Sequence, residues 1–469
     1  MGRPGAAAVD SHLTMTFVQE PSRQLSVFGA FDVVVIGGGP AGLAASSSAA
    51  KRGANVLLVE RYGFLGGMGT AGGVTNFAGL YGRKDGVMCS VVHGVVDDLL
   101  ARIESLGGLN APQDGMAGRI RVRSYDASAY KCAADDMLLA AGVNLLFHAW
   151  AAAVVMEGSQ ISALIVETKS GRQAIQARCF IDCSGDADVA HFAGVPYQVG
   201  DGNGSGLFPT TMFRVGHVHA ERALAAIGDF KAINMLMADA LLATPGKYSF
   251  PREGAIVRPQ RNPTEWRANV TQISNAQGKA MDALDARQLS AGESEGRRQV
   301  AEYFKFLKAE VPGFEAAAIV DIAPQIGIRE SRRMTGVYAL SGEDILSSAR
   351  FDDAIGINAW PMELHTAGKI EWQFPRSAET GYGRAFNDLP WRMLVPPNVD
   401  NLLVAGRCAS MTHEGQSAAR ASGACFVMGQ AAGTAAAMLG ASQRFADIDV
   451  PALQTALSID GAYLDHEHP

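Results

Sequence analysis

Apolar runs cut by glycine turns organise this chain. Residues 33–36 (VVVI) stand together without a polar partner and read as a buried strand. They run into Gly37-Gly38-Gly39-Pro40-Ala41-Gly42, a strong turn signal. A stretch of small residues then predicts a helix, and a second apolar run at 56–59 predicts a strand that closes on Glu60. Helical spacing recurs over 91–106 and 128–141, and 143–148 reads as a parallel strand. Three alternating runs, at 152–156, 161–168 and 173–181, predict a small antiparallel meander, with Lys169-Ser170-Gly171 turning the last two. Residues 69–86 (GTAGGVTNFAGLYGRKDG) carry too much glycine for a regular element.

Beyond residue 197 the pattern changes to scattered Pro and Trp, longer loops and two helices, over 220–242 and 292–310. The apolar strand 401–406 then restores the first pattern, and 417–439 reads as one long helix of small residues. This order predicts an α/β fold whose nucleotide domain is built from both ends of the chain, with an α+β substrate domain inserted between them. The expected parts are a flexible arm at 1–30, in which Met15 is an alternative start, and a nucleotide-binding part at 31–196. An inserted domain at 197–390, a second nucleotide-binding part at 391–445 and a tail at 446–469 follow.

The opening strand–turn–helix–strand unit has a specific chemistry. Gly37 allows the tight turn, Gly39 lets backbone approach a pyrophosphate, and Gly42 lets the helix pack on the strand. The helix N-terminus offers amide donors and partial positive charge to the phosphates. Glu60, 23 positions after Gly37, is placed to accept hydrogen bonds from ribose hydroxyls. With 53 glycines in 469 residues a lone glycine fingerprint means little, so the register of strand, turn, helix and acid is what carries the reading. After five intervening residues comes a second glycine turn, Gly66-Gly67-Met68-Gly69, which a domain for NAD alone does not need.

A 48% hydrophobic and 19% charged composition is that of a globular chain, long enough for two or three domains. The net charge of −7, without a dense Lys/Arg run, argues against a nucleic-acid or anionic-membrane partner and leaves a small-molecule substrate, with a homo-oligomer open. Residues 1–30 lack the apolar segment of a signal peptide. The apolar stretch 137–156 is interrupted by Gly142, Asn144 and His148, so it reads as helix end plus strand and not as a membrane span. Cys179 and Cys183 on one strand would lie roughly 13 Å apart at ~3.3 Å per residue, too far for a disulfide. No metal site is expected, and a reducing cytoplasm fits the six cysteines. The glycine run from Asp201 begins like a calcium loop, but its twelfth position is Met212 where such a loop needs Glu.

The stretches VIGGGPAGLAAS, ERYGFLGGMGTAGGV, IDCSGDADVAHFAG, GIRESRRMTGVYALSGEDIL, WPMELH and NLLVAGRCASMTHEGQSAARASGACFVMGQAAGTAAA lie between positions 35 and 437. Together they resemble the bacterial "FAD dependent oxidoreductase" family, within the glutathione-reductase-like flavoprotein superfamily. The resemblance implies a Rossmann-like FAD-binding domain, FAD as cofactor and electron transfer at the flavin N5. It implies FAD contacts from Gly37, Gly39, Gly42, Glu60, Gly66, Gly67, Gly185 and Asp186, with Gly406 and Arg407 beside the flavin. It does not fix the donor. No second nucleotide fingerprint and no CxxC motif is present, which sets the chain apart from reductases with a dedicated NADPH domain.

Several residues are candidates for the chemistry. The N-terminus of the helix from Ser417 is placed to favour negative charge on a reduced flavin, by about 0.3–2 kcal/mol; ordinary close packing explains its Ala and Gly equally well. His413, between that helix and the preceding strand, reads as a proton donor or acceptor, or as a helix cap. His365 is the other histidine candidate. Glu363, two residues earlier on an extended strand, projects to the same side and is placed to orient it. Arg329, Arg332 and Arg333 read either as an anion site or as a solvated ion-pair cluster. Three functions follow: a hydride-transferring oxidoreductase for a small organic substrate, an NAD(P)H-using flavin monooxygenase, or a non-catalytic flavin protein.

Overall fold

The register of the parallel strands gathers the nucleotide-binding candidates on one edge. The computed structural model describes residues 18–228, 230–440 and 444–465. Ser26–Ile36 pairs in parallel with Val56–Val59 and with Gly171–Asp182. Ile36 stands beside both Val59 and Asp182, Val59 beside Leu146, and Asp182 beside Val404. Parallel strands in register end together, so Gly37, Glu60, Cys183 and Ala405 follow one carboxyl edge, where open α/β sheets bind ligands. The strand Leu402–Val404 comes from the far end of the chain and completes a seven-stranded sheet. The expected meander is present, with Gln160–Thr168 antiparallel to both Trp150–Glu157 and Gly171–Asp182. The fold is therefore the α/β one: a Rossmann-like domain made from both ends of the chain, with an inserted α+β unit.

That unit has its own sheet and core. Four antiparallel strands run in the order Ile256–Pro259, Trp266–Asn269, Phe213–Gly216, Ala318–Ile322. The helix Ala286–Glu310, capped by Asp285, lays Val300, Tyr303, Phe306 and Leu307 on them, around the buried Trp266 and Phe314. Two packings occur within residues 197–390. The second core stays within residues 213–317, whereas Leu340, Ile345, Ile355, Ile357, Phe386 and Leu389 join the core of the nucleotide-binding sheet. The hairpin Met362–Thr366 and Lys369–Gln373 stands between the two units. Its two-residue turn uses Gly368 at φ +78°, the left-handed backbone such a turn needs.

Close backbone contact fixes the two central helices. Pro40–Lys51 and Ser422–Met438 are both built of small residues. A Cβ on Gly429 would lie 2.1 Å from the Ala41 carbonyl oxygen, and one on Gly433 would lie 2.0 Å from that of Ala45. Glycines four apart share one helix face, so the backbones touch there and nothing larger fits.

Several elements differ from expectation. Residues 26–30, expected in the arm, extend the first strand. Positions 1–17, with Met15, and 466–469 lie outside the described residues. The expected tail contains a helix, Val450–Ile459, that buries Leu453 and Leu457. Residues 81–90 form a hairpin, Tyr81–Lys84 with Val87–Ser90, around Asp85-Gly86. Asp-Gly is itself a hairpin signal, outweighed here by the surrounding glycines. The helix expected over 220–242 is two, Ala220–Ile227 and Phe230–Ala243. The one expected over 417–439 is also two, His413–Ala419 and Ser422–Met438. That break falls at Ala421, extended at φ −61°, ψ 153°, with no Gly or Pro to announce it.

Replacing Gly433 or Gly429 by Ala should destabilise the protein by about 1–3 kcal/mol, the usual cost of overpacking. Chemical denaturation reads this directly. An unchanged midpoint in both variants would mean that the two helices are not in backbone contact.

Candidate active site

A cavity of about 680 Å³ runs along the carboxyl edge of the large sheet and under the inserted unit. Of the expected cofactor residues, Gly37, Gly39, Glu60, Gly67, Gly185, Gly406 and Arg407 line it. Gly42, Gly66 and Asp186 do not, and their roles are different. A Cβ on Gly42 would lie 1.8 Å from the Gly37 carbonyl oxygen, so Gly42 is required by the turn itself. Gly66 donates its N–H to the Gly38 carbonyl at 2.8 Å, clasping the second glycine turn to the first. Asp186 accepts from Ser331 Oγ at 2.6 Å and from Arg407 Nη2 at 2.7 Å, and lies 3.7 Å from Arg61 Nη1. Burial pushes its carboxyl up, but Arg407, Arg61 and Ser331 hold it below the ordinary carboxylate range. Asp186 positions the arginines and does not face the cavity.

Gly39 is the informative glycine. A Cβ there would meet no protein atom closer than Gly67 Cα at 3.6 Å, and its backbone (φ −75°, ψ −176°) suits any residue. Protein packing does not require glycine at this point; the cavity does. The helix that follows has Gly39 as its N-cap with no side-chain cap, leaving first-turn donors for a ligand. Glu60 is buried, accepting from Gly38 N at 2.7 Å through Oε2 and from Tyr62 N at 2.9 Å through Oε1. Burial raises its pKa against those backbone bonds. Beside it Arg61 stacks on the rings of Tyr62 and Trp150, aromatic surface that single-strand patterning does not reveal. At the other end Ala421 and Ser422 line the cavity where Ser422–Met438 begins, again without a side-chain cap. The helix terminus at the cavity is therefore this one and not that of the helix expected from Ser417.

The sequence profile of the FAD dependent oxidoreductase family matches residues 32–457. The chain belongs to this family. Its cofactor is FAD, and the open space over Gly39, the uncapped helix N-termini and the carboxylate of Glu60 fit a bound dinucleotide. Among solved structures, this family member is similar to a geranylgeranyl bacteriochlorophyll reductase-like protein from Thermoplasma acidophilum. Identity is 12% over 92% of this chain and 83% of that one, with a TM-score of 0.45. It is also similar to a flavin-dependent brominase, at 14% identity over 92% and 83% with a TM-score of 0.44. A third similarity is to p-nitrophenol 4-monooxygenase from Pseudomonas putida, at 12% over 66% and 70% with a TM-score of 0.37. None of these indicates what this enzyme acts on. Among the described residues no helix is long and apolar enough to cross a membrane.

The two histidine candidates separate. His413 opens a short helix outside the cavity lining, and its Nδ1 lies 3.0 Å from Glu330 Oε2. Glu330 is buried, pairs with Arg333 and accepts the Leu207 N–H at 2.8 Å. Burial and Arg333 push the His413 pKa down. His413 thus contacts a buried ion-pair cluster and does not line the cavity. His365 and Glu363 both line the cavity, and His365 Nε2 lies 3.0 Å from Glu363 Oε1. Glu363 Oε2 also accepts from Trp360 Nε1 at 3.0 Å. Burial would raise the Glu363 carboxyl, but the His365 bond and the charges of Arg420 and Arg329 bring it to about 2. Burial and Arg329 drive the His365 pKa well below the ordinary value, outweighing Glu363.

The arginine cluster divides in the same way. Arg332 bonds Asp188 at 3.0 Å and Arg333 bonds Glu330, so both are structural, while Arg329 reaches the cavity. Arg267 and Arg420 also line it. Neither was identified from sequence, since each is a lone arginine whose neighbours come from distant segments.

The purified protein should be yellow and should release FAD, not FMN, on acid denaturation; colour that stays with the precipitate would contradict non-covalent binding. Gly39→Val should lose most of its flavin while the chain remains soluble and folded, because only the cofactor contests that space. Full flavin occupancy in this variant would overturn the assignment.

Proposed function

We propose that this enzyme oxidises or reduces a small organic substrate by hydride transfer at the flavin N5, with the substrate held between the flavin and the inserted unit. The bound FAD supplies the two-electron exchange. The observation that carries the reading is the Glu363–His365 pair, a hydrogen-bonded proton-handling unit on the wall of the cavity that the nucleotide turn also lines. A neutral imidazole donating Nε2–H to the Glu363 carboxylate leaves Nδ1 as the acceptor, against a long 3.4 Å contact with Arg252 Nη1. His365 would take the substrate proton, and Glu363 would hold the tautomer and stabilise the imidazolium. The net charge of −7 fits an enzyme without a nucleic-acid partner, and the six free cysteines fit a reducing cytoplasm. The monooxygenase reading draws on no separate observation here.

An anaerobic screen for compounds that bleach the flavin absorbance identifies the substrate. With it, His365→Ala and Glu363→Ala should each lower turnover by roughly 10²–10⁴-fold with FAD retained, while His413→Ala stays mild. Near-normal turnover in both cavity variants would sink the assignment. The pH profile gives an independent check. A base whose pKa is depressed remains unprotonated down to that lower pH, so the acid limb of kcat/KM should lie below the ordinary histidine value of about 6.5. A limb at or above it would contradict the environment of His365.

A further inference from the structure

The end of the cavity under the inserted unit carries a buried excess of positive charge. Arg267 and Arg329 are 8% and 7% exposed, Arg420 stands on the same cavity wall, and Arg252, 4% exposed, contacts His365. Glu363 is the carboxylate that acts on all four. Four guanidinium groups against one carboxylate leave three positive charges uncompensated. Each has one backbone partner: Arg329 reaches the Phe208 carbonyl, Arg252 the Asn269 carbonyl, Arg267 the Val74 carbonyl at 2.6 Å and Arg420 the Glu363 carbonyl at 3.2 Å, while the Asn269 side chain accepts from Arg252 and Arg329. The Nε atoms of Arg252, Arg267 and Arg420 are buried without a partner. Buried, like-charged and partly unbonded groups are costly unless a counter-charge arrives. Burial and mutual repulsion depress the pKa of Arg329, yet a guanidinium stays protonated at neutral pH.

Arg420 precedes the helix start at Ser422, but Arg267 and Arg329 stand apart from the pyrophosphate turn. Arg267 stands on the four-stranded sheet, and Arg329 on the segment leaving it, whereas the turn belongs to the large sheet. The same cavity also offers apolar surface. Trp360 and Trp372 meet edge to face at 5.8 Å, and Ile370 lies on the same hairpin as Trp372.

We propose that this end of the cavity binds the carboxylate of a small acid whose apolar body lies against Trp360, Trp372 and Ile370, an inference that rests on the oxidoreductase reading of the same cavity. The planar guanidinium fork matches a carboxylate in two hydrogen bonds, and the indole walls favour a flat or branched body over a solvated one.

Calorimetric titration of the FAD-loaded protein with benzoate, benzamide, hexanoate, hexanamide and inorganic phosphate tests this. Each carboxylate should bind at least ten-fold more tightly than its amide and displace phosphate. Arg420→Gln and Arg267→Gln should each weaken benzoate at least ten-fold with benzamide affinity and flavin content unchanged; if the buried Arg267 variant fails to fold, the half-buried Arg420 variant carries the test. Glu363→Gln, which removes the one compensating charge, should tighten benzoate several-fold. Amides that bind as well as acids, phosphate that outcompetes both carboxylates, or a folded Arg420→Gln protein with unaltered benzoate affinity would each overturn the proposal. Calorimetry needs no turnover, so acid selectivity in FAD-loaded protein whose flavin no screened compound bleaches would support the anion site while overturning the hydride-transfer reading.

Discussion

The turn Gly37–Gly42 is held so tightly by backbone from four segments that the rest of the molecule is arranged around it. A side chain on Gly37 would strike the Cys183 carbonyl oxygen at 2.4 Å, and one on Gly42 would strike Gly37 itself. Gly38 donates to Glu60 and accepts from Gly66, while Ala41 is pressed by Gly429 of the late helix. The strand ends, the second glycine turn and the C-terminal helix are thereby brought to a common point. The space left over it, above Gly39, is where the dinucleotide goes.

Charge is distributed around the cavity with the same economy. Asp186 holds Arg407 and Arg61 on the wall, and Glu330 neutralises Arg333 and engages His413 behind it. Those pairs fix the walls in place. On the walls the balance is left open: amide dipoles at two helix starts, and guanidinium groups that outnumber carboxylates under the inserted unit. The ion pairs serve position, and the unpaired charges serve ligands.

Local features were legible in the sequence. The Rossmann unit, the meander and the pairing of Glu363 with His365 depend on residues a few positions apart, where strand alternation or turn chemistry decides the outcome. What escaped the sequence depends on distant partners. Glu330 and His413 are 83 positions apart, so nothing near His413 announced that it would be drawn off the cavity. The helix break at Ala421 arises where Ser422 Oγ bonds the backbone of Ala78, a tertiary contact with no local breaker. Arg267 and Arg420 come from distant segments and reach one cavity only through the fold.

A sheet assembled from both ends of the chain imposes an order on folding. Phe180 and Leu402 are register partners separated by 222 positions. At roughly 5–20 residues per second, the partner strand leaves the ribosome about 10–45 s after the strand it completes. Until then residues 180–182 present an unpaired edge, and the helix that presses on Ala41 does not yet exist. Such non-local pairing is slow to form and open to wrong partners. The cavity is therefore completed only when the last part of the chain has been made.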